Sequence, residues 1–189
     1  MTAEDIVVTV TRALRQAEIP HMTVGAFVGI YYGMSRTTDD ADFVIQVDDL
    51  RLSKLRGALG PGFIVDPQPR IECVTGGTYY KIAHPDSDFE VELFMLRNDA
   101  HELLSFSRKI MIGFEGGEAP ICTAEDFVIT KLRWAKTKVR PKDIEDVRAV
   151  LAVQAENLDM PYIRDWCKQH ETLEMLEDLI RMLPPVPPA

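Results

Sequence analysis

The stretch SRTTDDADFVI, residues 35–45, restricts the fold more than any other part of the sequence. Its apolar, β-branched end predicts a buried strand, yet Asp39, Asp40 and Asp42 stand at the start of that strand. Because side chains alternate along a strand, Asp40 and Asp42 point the same way and Asp39 is out of phase with them. Neighbouring carboxylates repel one another unless a cation offsets their charge, so the pair indicates either a solvated turn or a divalent-cation site.

A third carboxylate is offered by another strand candidate, DFEVELFML, which begins at Asp88. Asp88, Glu90 and Glu92 share one face of this strand, and the apolar residues between them share the other. Carboxylate oxygens are the ligands that Mg²⁺ prefers, so a strand of this kind beside Asp40 and Asp42 would complete a metal site. The alternative is an edge strand with one solvated face.

A turn of small residues, Gly25-Ala26, separates a short strand, HMTV, from a short apolar helix that ends at Gly33. Backbone N–H groups at the start of a helix bind phosphate, and glycine permits a close approach. On its own the turn is also compatible with ordinary packing of a helix on a strand. Together with the following Asp-x-Asp strand it predicts one site, with a triphosphate on the turn and a metal on the acids.

The remaining pattern predicts an α+β fold, a mixed sheet flanked by helices with a helical C-terminal part. Residues 1–122 combine a first helix over 2–18 behind a Thr2 cap, several short strands and two or three helices in all. From Thr123 onward the spacing predicts helices only, among them TAEDFVITKLRWAK, PKDIEDVRAVLAVQ and two over roughly 160–169 and 172–182. We therefore expect a head over 1–122, a helical region over 123–183 packed on it, and a flexible proline-rich tail over 184–189.

Composition narrows the class of protein. The net charge of −9 disfavours a general nucleic-acid or membrane binder. Three widely spaced cysteines predict reduced thiols in place of disulfides or a zinc site. We expect neither a signal peptide nor a transmembrane helix, and hence a cytoplasmic location.

The motifs resemble those of the polymerase-β-like nucleotidyltransferases, in which a small-residue turn precedes Asp-x-Asp and a later strand carries a third acid. Gly25-Ala26 is followed by 13 residues and then by Asp40-Ala41-Asp42. The stretch SRTTDDADFVI is similar to the Arg-x-Thr-x-Asp-x-Asp variant of the minimal and AbiEii-like abortive-infection nucleotidyltransferases, with Arg36 and Thr38 at the family positions. The segment VELF resembles the strand of the third acid, which selects Glu92.

The resemblance extends to the helical part. TAEDFVITKLRWAK is similar to a family segment that places its lysine at Lys131, and RPKDIEDVRAVL resembles a helix with acids at Asp143 and Asp146. Three positions depart from the family pattern: Ala26 in place of glycine or serine, Glu92 in place of the commoner aspartate, and Lys142 in place of arginine.

What the resemblance implies is an enzyme, a nucleotidyltransferase that moves NMP from an NTP to a hydroxyl on a tRNA-like RNA end or on a protein, with Mg²⁺ or Mn²⁺. The implied catalytic residues are Asp40, Asp42, Glu92 and Lys131, of which the three acids are the metal ligands. The implied nucleotide- and phosphate-binding residues are Gly25, Ala26, Arg36, Thr38, Asp143 and Asp146. It also implies toxin–antitoxin or phage-defence biology, with a cognate antitoxin as partner and no membrane.

Several alternatives stay open. Ala26 and Glu92 also suit a degenerate nucleotide-binding or protein-interaction module without turnover, and Asp-x-Asp alone also occurs as a glycosyltransferase metal motif. Lys131 could be a surface lysine, Arg36 could pair with the crowded aspartates, and Asp143 and Asp146 could form a solvated face or pair with Lys131. The stretch KLRWAKTKVRPK, residues 131–142, carries six cations that could steer RNA or triphosphate, or could be a solvated linker.

Overall fold

The computed structural model describes residues 1–73, 75–114, 117–137 and 140–183, apart from the side chains at 49, 50 and 114. Two compact units are present: Met1–Val28 with Thr37–Cys122, and Gly29–Arg36 with Thr123–Ala189. Residues 29–36, which the sequence assigned to the head, therefore cluster with the helical unit. The expected tail over 184–189 lies outside the described residues.

The first unit is built on a mixed sheet, and its described residues form eight strands. The strands are β1 His21–Val24, β2 Asp40–Ile45, β3 Ile64–Val65, β4 Arg70–Ile71, β5 Thr78–His84, β6 Ser87–Met95, β7 Ile110–Phe114 and β8 Gly117–Ile121. Their order is β3-β5-β6-β2-β1-β8-β7, and β4 pairs with β5. β2 runs parallel to β6 and β1 parallel to β8, and the other pairs are antiparallel.

Among the described residues, four helices lie within the first 122 positions of the chain. They are α1 Ala3–Gln16, α2 Gly25–Tyr31, α3 Asp49–Leu59 and α4 Ala100–Arg108. The expected cap of α1 is confirmed, because the Thr2 hydroxyl accepts from the Asp5 N–H at 3.1 Å and the Asp5 carboxylate accepts from the Thr2 N–H at 2.9 Å. The predicted α+β class is also confirmed, whereas the expectation of only two or three helices in this half is wrong because α4 was missed.

The hydrophobic core of this unit lies on one face of the sheet. Ala41, Phe43 and Ile45 of β2 and Val91 and Leu93 of β6 are fully buried there. They share one cluster with apolar residues of α1 and α3, namely Ile6, Val7, Val10, Ala13, Leu14, Leu52, Leu55 and Leu59. Because strand side chains alternate, the acids of β2 and β6 are directed to the opposite face of the sheet.

In its described residues the second unit is helical apart from its loops. It contains α5 Ala124–Thr137, α6 Pro141–Gln154, a 3₁₀ turn Ala155–Asn157, α7 Met160–Gln169 and α8 Leu173–Arg181. The Thr123 hydroxyl accepts from the Asp126 N–H at 3.2 Å and so caps α5, and Pro141 occupies the first turn of α6. Leu132, Val147, Val150 and Ile163 are fully buried in this unit. The four helices expected from the sequence are confirmed.

Two further findings concern the chain as a whole. No disulfide joins Cys73, Cys122 and Cys167, as the spacing predicted; Cys73 is exposed and the other two are buried. None of the helices in the described ranges is long and apolar enough to cross a membrane.

Candidate nucleotide and metal site

The parallel pairing of β2 with β6 brings together the three acids that the sequence assigned to a metal. Asp42 is the Cα partner of Glu92, and Asp40 is the partner of Glu90. Partners in a parallel pair present their side chains on the same face, so all four carboxylates lie on the face opposite the core. Asp40 is exposed and the other three are partly buried. Asp39, by contrast, is exposed and lies in a bend just before β2, which begins at Asp40.

The Gly25 turn lies directly against the Asp-x-Asp strand. Gly25 has a φ of +71°, and a Cβ added to it would lie 1.9 Å from Asp42 Oδ2. Both facts require glycine, since other residues rarely adopt this conformation and any side chain would overlap the carboxylate. Ala26 follows at 7% exposure in the first turn of α2. The predicted phosphate turn and the predicted metal strand are thus in contact.

Thr38 contacts the first aspartate of the pair. Its hydroxyl donates to Asp40 Oδ1 at 2.6 Å. A short hydrogen bond to a carboxylate restricts its rotation. Thr38 therefore orients Asp40, a role compatible with its predicted place in the site.

Lys81 of β5 is a member of the cluster that the sequence analysis missed. It is the Cα partner of Glu92 across the antiparallel β5–β6 pair. Its ammonium donates to Glu90 Oε2 and lies 3.3 Å from Glu92 Oε1. The available signal was the strand pattern of TYYKIAH followed by a short turn, which indicates a hairpin with β6 and so places Lys81 near Glu90 and Glu92.

The electrostatics of the cluster follow from burial and from Lys81. Burial raises the pKa of Glu92, the charge and hydrogen bond of Lys81 partly offset this effect, and the charges of Asp40 and Glu90 raise that pKa further. The hydrogen bond with Glu90 raises the pKa of Lys81, which stays protonated. The cluster thus consists of crowded carboxylates with the Lys81 ammonium beside Glu90 and Glu92.

The donor set suits Mg²⁺ in chemistry, because three carboxylates on neighbouring strands share one face. Among the described residues, however, no three His, Cys, Asp or Glu side chains already stand in an arrangement that could hold an ion. Asp40 is held by Thr38, and Glu92 lies against Lys81. The three acids therefore suit the ion in their chemical type and in their strand register. Their side chains would have to change conformation so that all three reach the same ion.

A second group of predicted site residues lies in the helical unit and forms a buried ion-pair network. Lys131 Nζ is 2.7 Å from Asp143 Oδ1 and 3.1 Å from Asp146 Oδ2. Arg36 contacts both oxygens of Asp146, at 2.8 and 2.9 Å, and Arg140 Nε lies 3.1 Å from Asp143 Oδ2. We call Arg36, Lys131, Arg140, Asp143 and Asp146 the buried ion network.

The burial of these groups decides between the alternatives left open by the sequence. Lys131 is 8% exposed, Asp143 0% and Asp146 1%, so the surface lysine and the solvated acidic face are both wrong. The expected pairing of the two aspartates with Lys131 is confirmed, and the ion pair of Arg36 is with Asp146. Burial alone would raise the pKa of Asp146, but the Arg36 hydrogen bond and the Lys131 charge lower it below its usual value.

The basic stretch over 131–142 is less available for steering than its six cations suggested. Lys131 and Arg140 belong to the buried ion network. Lys136 pairs with Glu171 at 2.5 Å, while residues 138 and 139 lie outside the described ranges. Three of the six cations thus have carboxylate partners within the helical unit, which weakens the case for RNA steering.

The ten predicted site residues divide between the two compact units. The first unit holds Gly25, Ala26, Thr38, Asp40, Asp42 and Glu92, and the second holds Arg36, Lys131, Asp143 and Asp146.

Comparison with known proteins shows the fold. No protein-family model matches the sequence, and no curated protein matches it. Among solved structures, the chain is similar to a protein from H. pylori classed provisionally as a nucleotidyltransferase, at 20% identity over 95% of this chain and 78% of that one, with a TM-score of 0.55.

Two other solved structures are similar over nearly the whole of both chains. One is an antigenic nucleotidyltransferase-like protein from Paracoccidioides brasiliensis, 13% identical over 96% of this chain and 93% of that one, with a TM-score of 0.57. The other is ANT(2'')-Ia in complex with adenylyl-2''-tobramycin, 13% identical over 90% and 98%, with a TM-score of 0.60. At these identities the likeness establishes a nucleotidyltransferase fold and assigns no site residue.

Proposed function

We propose that this chain is a metal-dependent nucleotidyltransferase that transfers NMP from an NTP to a hydroxyl acceptor, an RNA 3' end or a protein side chain. The observation that carries the proposal is the contact of the Gly25 turn with Asp42, whose strand partner is Glu92. A turn suited to phosphate and a pair of strands suited to a divalent ion thus meet at one place. Adenylyl transfer to an antibiotic, as in the ANT(2'')-Ia complex, is reaction chemistry of the same class.

Each residue of the site in the first unit has a separate proposed role. Asp40, Asp42 and Glu92 would hold Mg²⁺ or Mn²⁺, which when bound supplies charge neutralisation at the triphosphate and acidifies the acceptor hydroxyl. Thr38 keeps Asp40 oriented through its 2.6 Å hydrogen bond. Gly25 and Ala26 would seat the phosphates next to Asp42. Glu92, whose pKa is raised by burial, would accept the proton of the acceptor hydroxyl.

For Arg36, Lys131, Asp143 and Asp146, nucleotide contact remains a proposal drawn from the motif resemblance. Each already has an ion-pair partner inside the helical unit. A variant at these positions would therefore change folding stability as well as any effect on nucleotide binding, and stability has to be measured with activity.

The proposal is tested by incubating the protein with each α-³²P-labelled NTP, Mg²⁺, total tRNA and a protein extract. We expect label on RNA or protein with the wild-type chain and none with Asp40→Asn/Asp42→Asn. The matched control is Asp39→Asn, because Asp39 is adjacent and exposed and lies outside β2. It should retain transfer. Equal transfer by the double variant would refute the proposed site.

Two other outcomes would separate the competing functions. NTP binding by calorimetry without label transfer to any acceptor would favour the degenerate nucleotide-binding module, an alternative that the Lys81–Glu92 ion pair supports. Binding of neither NTP nor Mn²⁺ would exclude both functions.

The resemblance of residues 35–45 to abortive-infection nucleotidyltransferases supports a toxin–antitoxin or phage-defence role for the same activity. Induced expression of the wild-type chain in a bacterial host should then arrest growth, and expression of Asp40→Asn/Asp42→Asn should not. Growth arrest by both would show that the effect does not depend on transfer.

A further inference from the structure

Among the described contacts, Lys81 supplies the ammonium group that lies beside the carboxylates of β6. It pairs with Glu90 and lies 3.3 Å from Glu92, and its side chain is only 19% exposed. The strand register fixes this position, because Lys81 and Glu92 are Cα partners in the antiparallel pair. A lysine held in this way is a permanent counterion beside the third proposed metal ligand.

This placement opposes binding of a divalent ion by itself. An ion that takes Glu92 as a ligand must either displace the ammonium from Oε1 or bind the other carboxylate oxygen, and in both cases it remains close to the positive charge. At a few ångströms in a partly buried site, the like charges of the ammonium and the ion repel each other and weaken binding of the ion. The negative charge of a triphosphate beside Asp42 would offset that repulsion.

From this geometry we infer that Lys81 is a positioning residue that restrains Glu92. It lowers the affinity of the carboxylates for a divalent ion until a nucleotide binds. The inference rests on the proposed function, since it concerns the same three acids. The ion would then bind together with the nucleotide.

The test is a Mn²⁺ titration followed by the electron paramagnetic resonance signal of free Mn²⁺, a readout independent of catalysis. Lys81→Met should bind Mn²⁺ on the order of tenfold more tightly than the wild-type chain when no nucleotide is present. Lys81→Arg keeps the charge and should stay within about threefold of wild type. Lys54→Met is the matched control, because Lys54 is an exposed lysine of α3, which packs on the opposite face of the sheet.

A second titration adds a non-hydrolysable NTP analogue. The analogue should strongly increase the affinity of the wild-type chain for Mn²⁺. The increase should be much smaller for Lys81→Met, which already binds Mn²⁺ tightly without nucleotide. Circular dichroism checks the fold of each variant, and Lys81→Gln replaces Lys81→Met where the latter fails to fold.

Three results would decide the matter. Tighter Mn²⁺ binding by Lys81→Met that disappears when Asp40→Asn/Asp42→Asn is added supports the inference. Binding by Lys81→Met that equals or falls below that of wild type overturns it and leaves the proposed function intact. Absence of Mn²⁺ binding by both chains, with and without the analogue, overturns the proposed function and the inference together.

Discussion

Gly25 lies directly against the Asp42 carboxylate. The substitution Gly25→Ala therefore tests whether this contact matters for stability and for NMP transfer. In Gly25→Ala the new Cβ would overlap Asp42 Oδ2, and the residue would have to keep a φ of +71°. We expect a loss of unfolding free energy of about 1–2 kcal/mol from the backbone conformation alone. Displacement of Asp42 should lower NMP transfer by about 100-fold. Urea unfolding and the labelled-NTP assay measure the two effects.

The control for this substitution is Gly57→Ala in α3, an exposed helical glycine with no atom within 4 Å of the added methyl. Alanine is the better helix former, so this variant should gain about 0.5–1 kcal/mol and keep full transfer. If Gly25→Ala behaved like Gly57→Ala, the close contact of the turn with Asp42 would have no functional role.

Lys131 offers a second test at the scale of one residue, because it neutralises two buried carboxylates. Lys131→Met would remove the ammonium from Asp143 and Asp146, which are 0% and 1% exposed, and leave them with their arginine contacts among the described residues. Breaking a buried pair costs about 3–5 kcal/mol, and we expect a loss near the lower end in urea unfolding. Lys136→Met on the same helix removes an exposed pair with Glu171 and should cost less than about 1 kcal/mol. Equal losses for the two variants would contradict the buried ion network.

At the scale of secondary-structure elements, alternation and capping account for what the sequence could predict. Period-two alternation in β2 and β6 placed the acids on one face and the core on the other, as the structure shows. The Thr2 and Thr123 caps located the starts of α1 and α5. These signals are local in the chain, so they can be read without knowing which elements pack together.

The elements that the sequence analysis missed lack such local signals. In α4 the buried positions are His101, Ser105 and Phe106, while Leu103 and Leu104 are 43% and 38% exposed, so its two leucines do not mark the packed face. β4 has only two residues, too few to show alternation. A strand of that length is defined by its pairing with β5 and not by its own sequence.

The position of Lys81 depended on a register that the sequence leaves undetermined. Between the pairs His84–Ser87 and Ile82–Val91 the β5–β6 hairpin shifts register. A regular hairpin continued from His84–Ser87 would place Lys81 opposite Glu90; the shift places it opposite Glu92 instead. Bulges of this kind are set by packing of both strands in the sheet, so the sequence can place Lys81 near the two glutamates but cannot show which of them is its strand partner.

At the scale of the whole molecule, the fold and the chemistry rest on different kinds of information. Solved structures of 13–20% identity share the overall fold, so the arrangement of layers tolerates replacement of most residues. The proposed function depends on a few contacts, of which the Gly25–Asp42 contact and the Asp42–Glu92 register are the most specific. For this reason the fold is established by similarity, and the function has to be tested residue by residue.

The response of the chain to acid is a property of the whole molecule to which one residue makes an identifiable contribution. The chain has 30 acidic and 21 basic side chains, so lowering the pH first reduces its net negative charge. Protonation of Asp146 has the opposite effect and destabilises the fold, because the pKa of Asp146 in the folded chain lies below its unfolded value of 3.8. A carboxylate with a lowered folded pKa stabilises the native state fully above the unfolded pKa. That contribution is lost as the pH falls below 3.8 and through the folded pKa.

We therefore expect the wild-type chain to be more stable than Asp146→Asn at neutral pH, and the difference to shrink on acidification. Urea unfolding of both chains between about pH 7 and pH 3 measures the difference in unfolding free energy at each pH. Asp39→Asn is the control, because it removes an exposed carboxylate of the same chain and should leave the pH dependence of stability close to that of wild type. The difference in unfolding free energy between the wild type and Asp146→Asn could instead stay constant down to the lowest pH. That result would mean that the ion pairs with Arg36 and Lys131 do not stabilise the ionised form of Asp146 in the folded state.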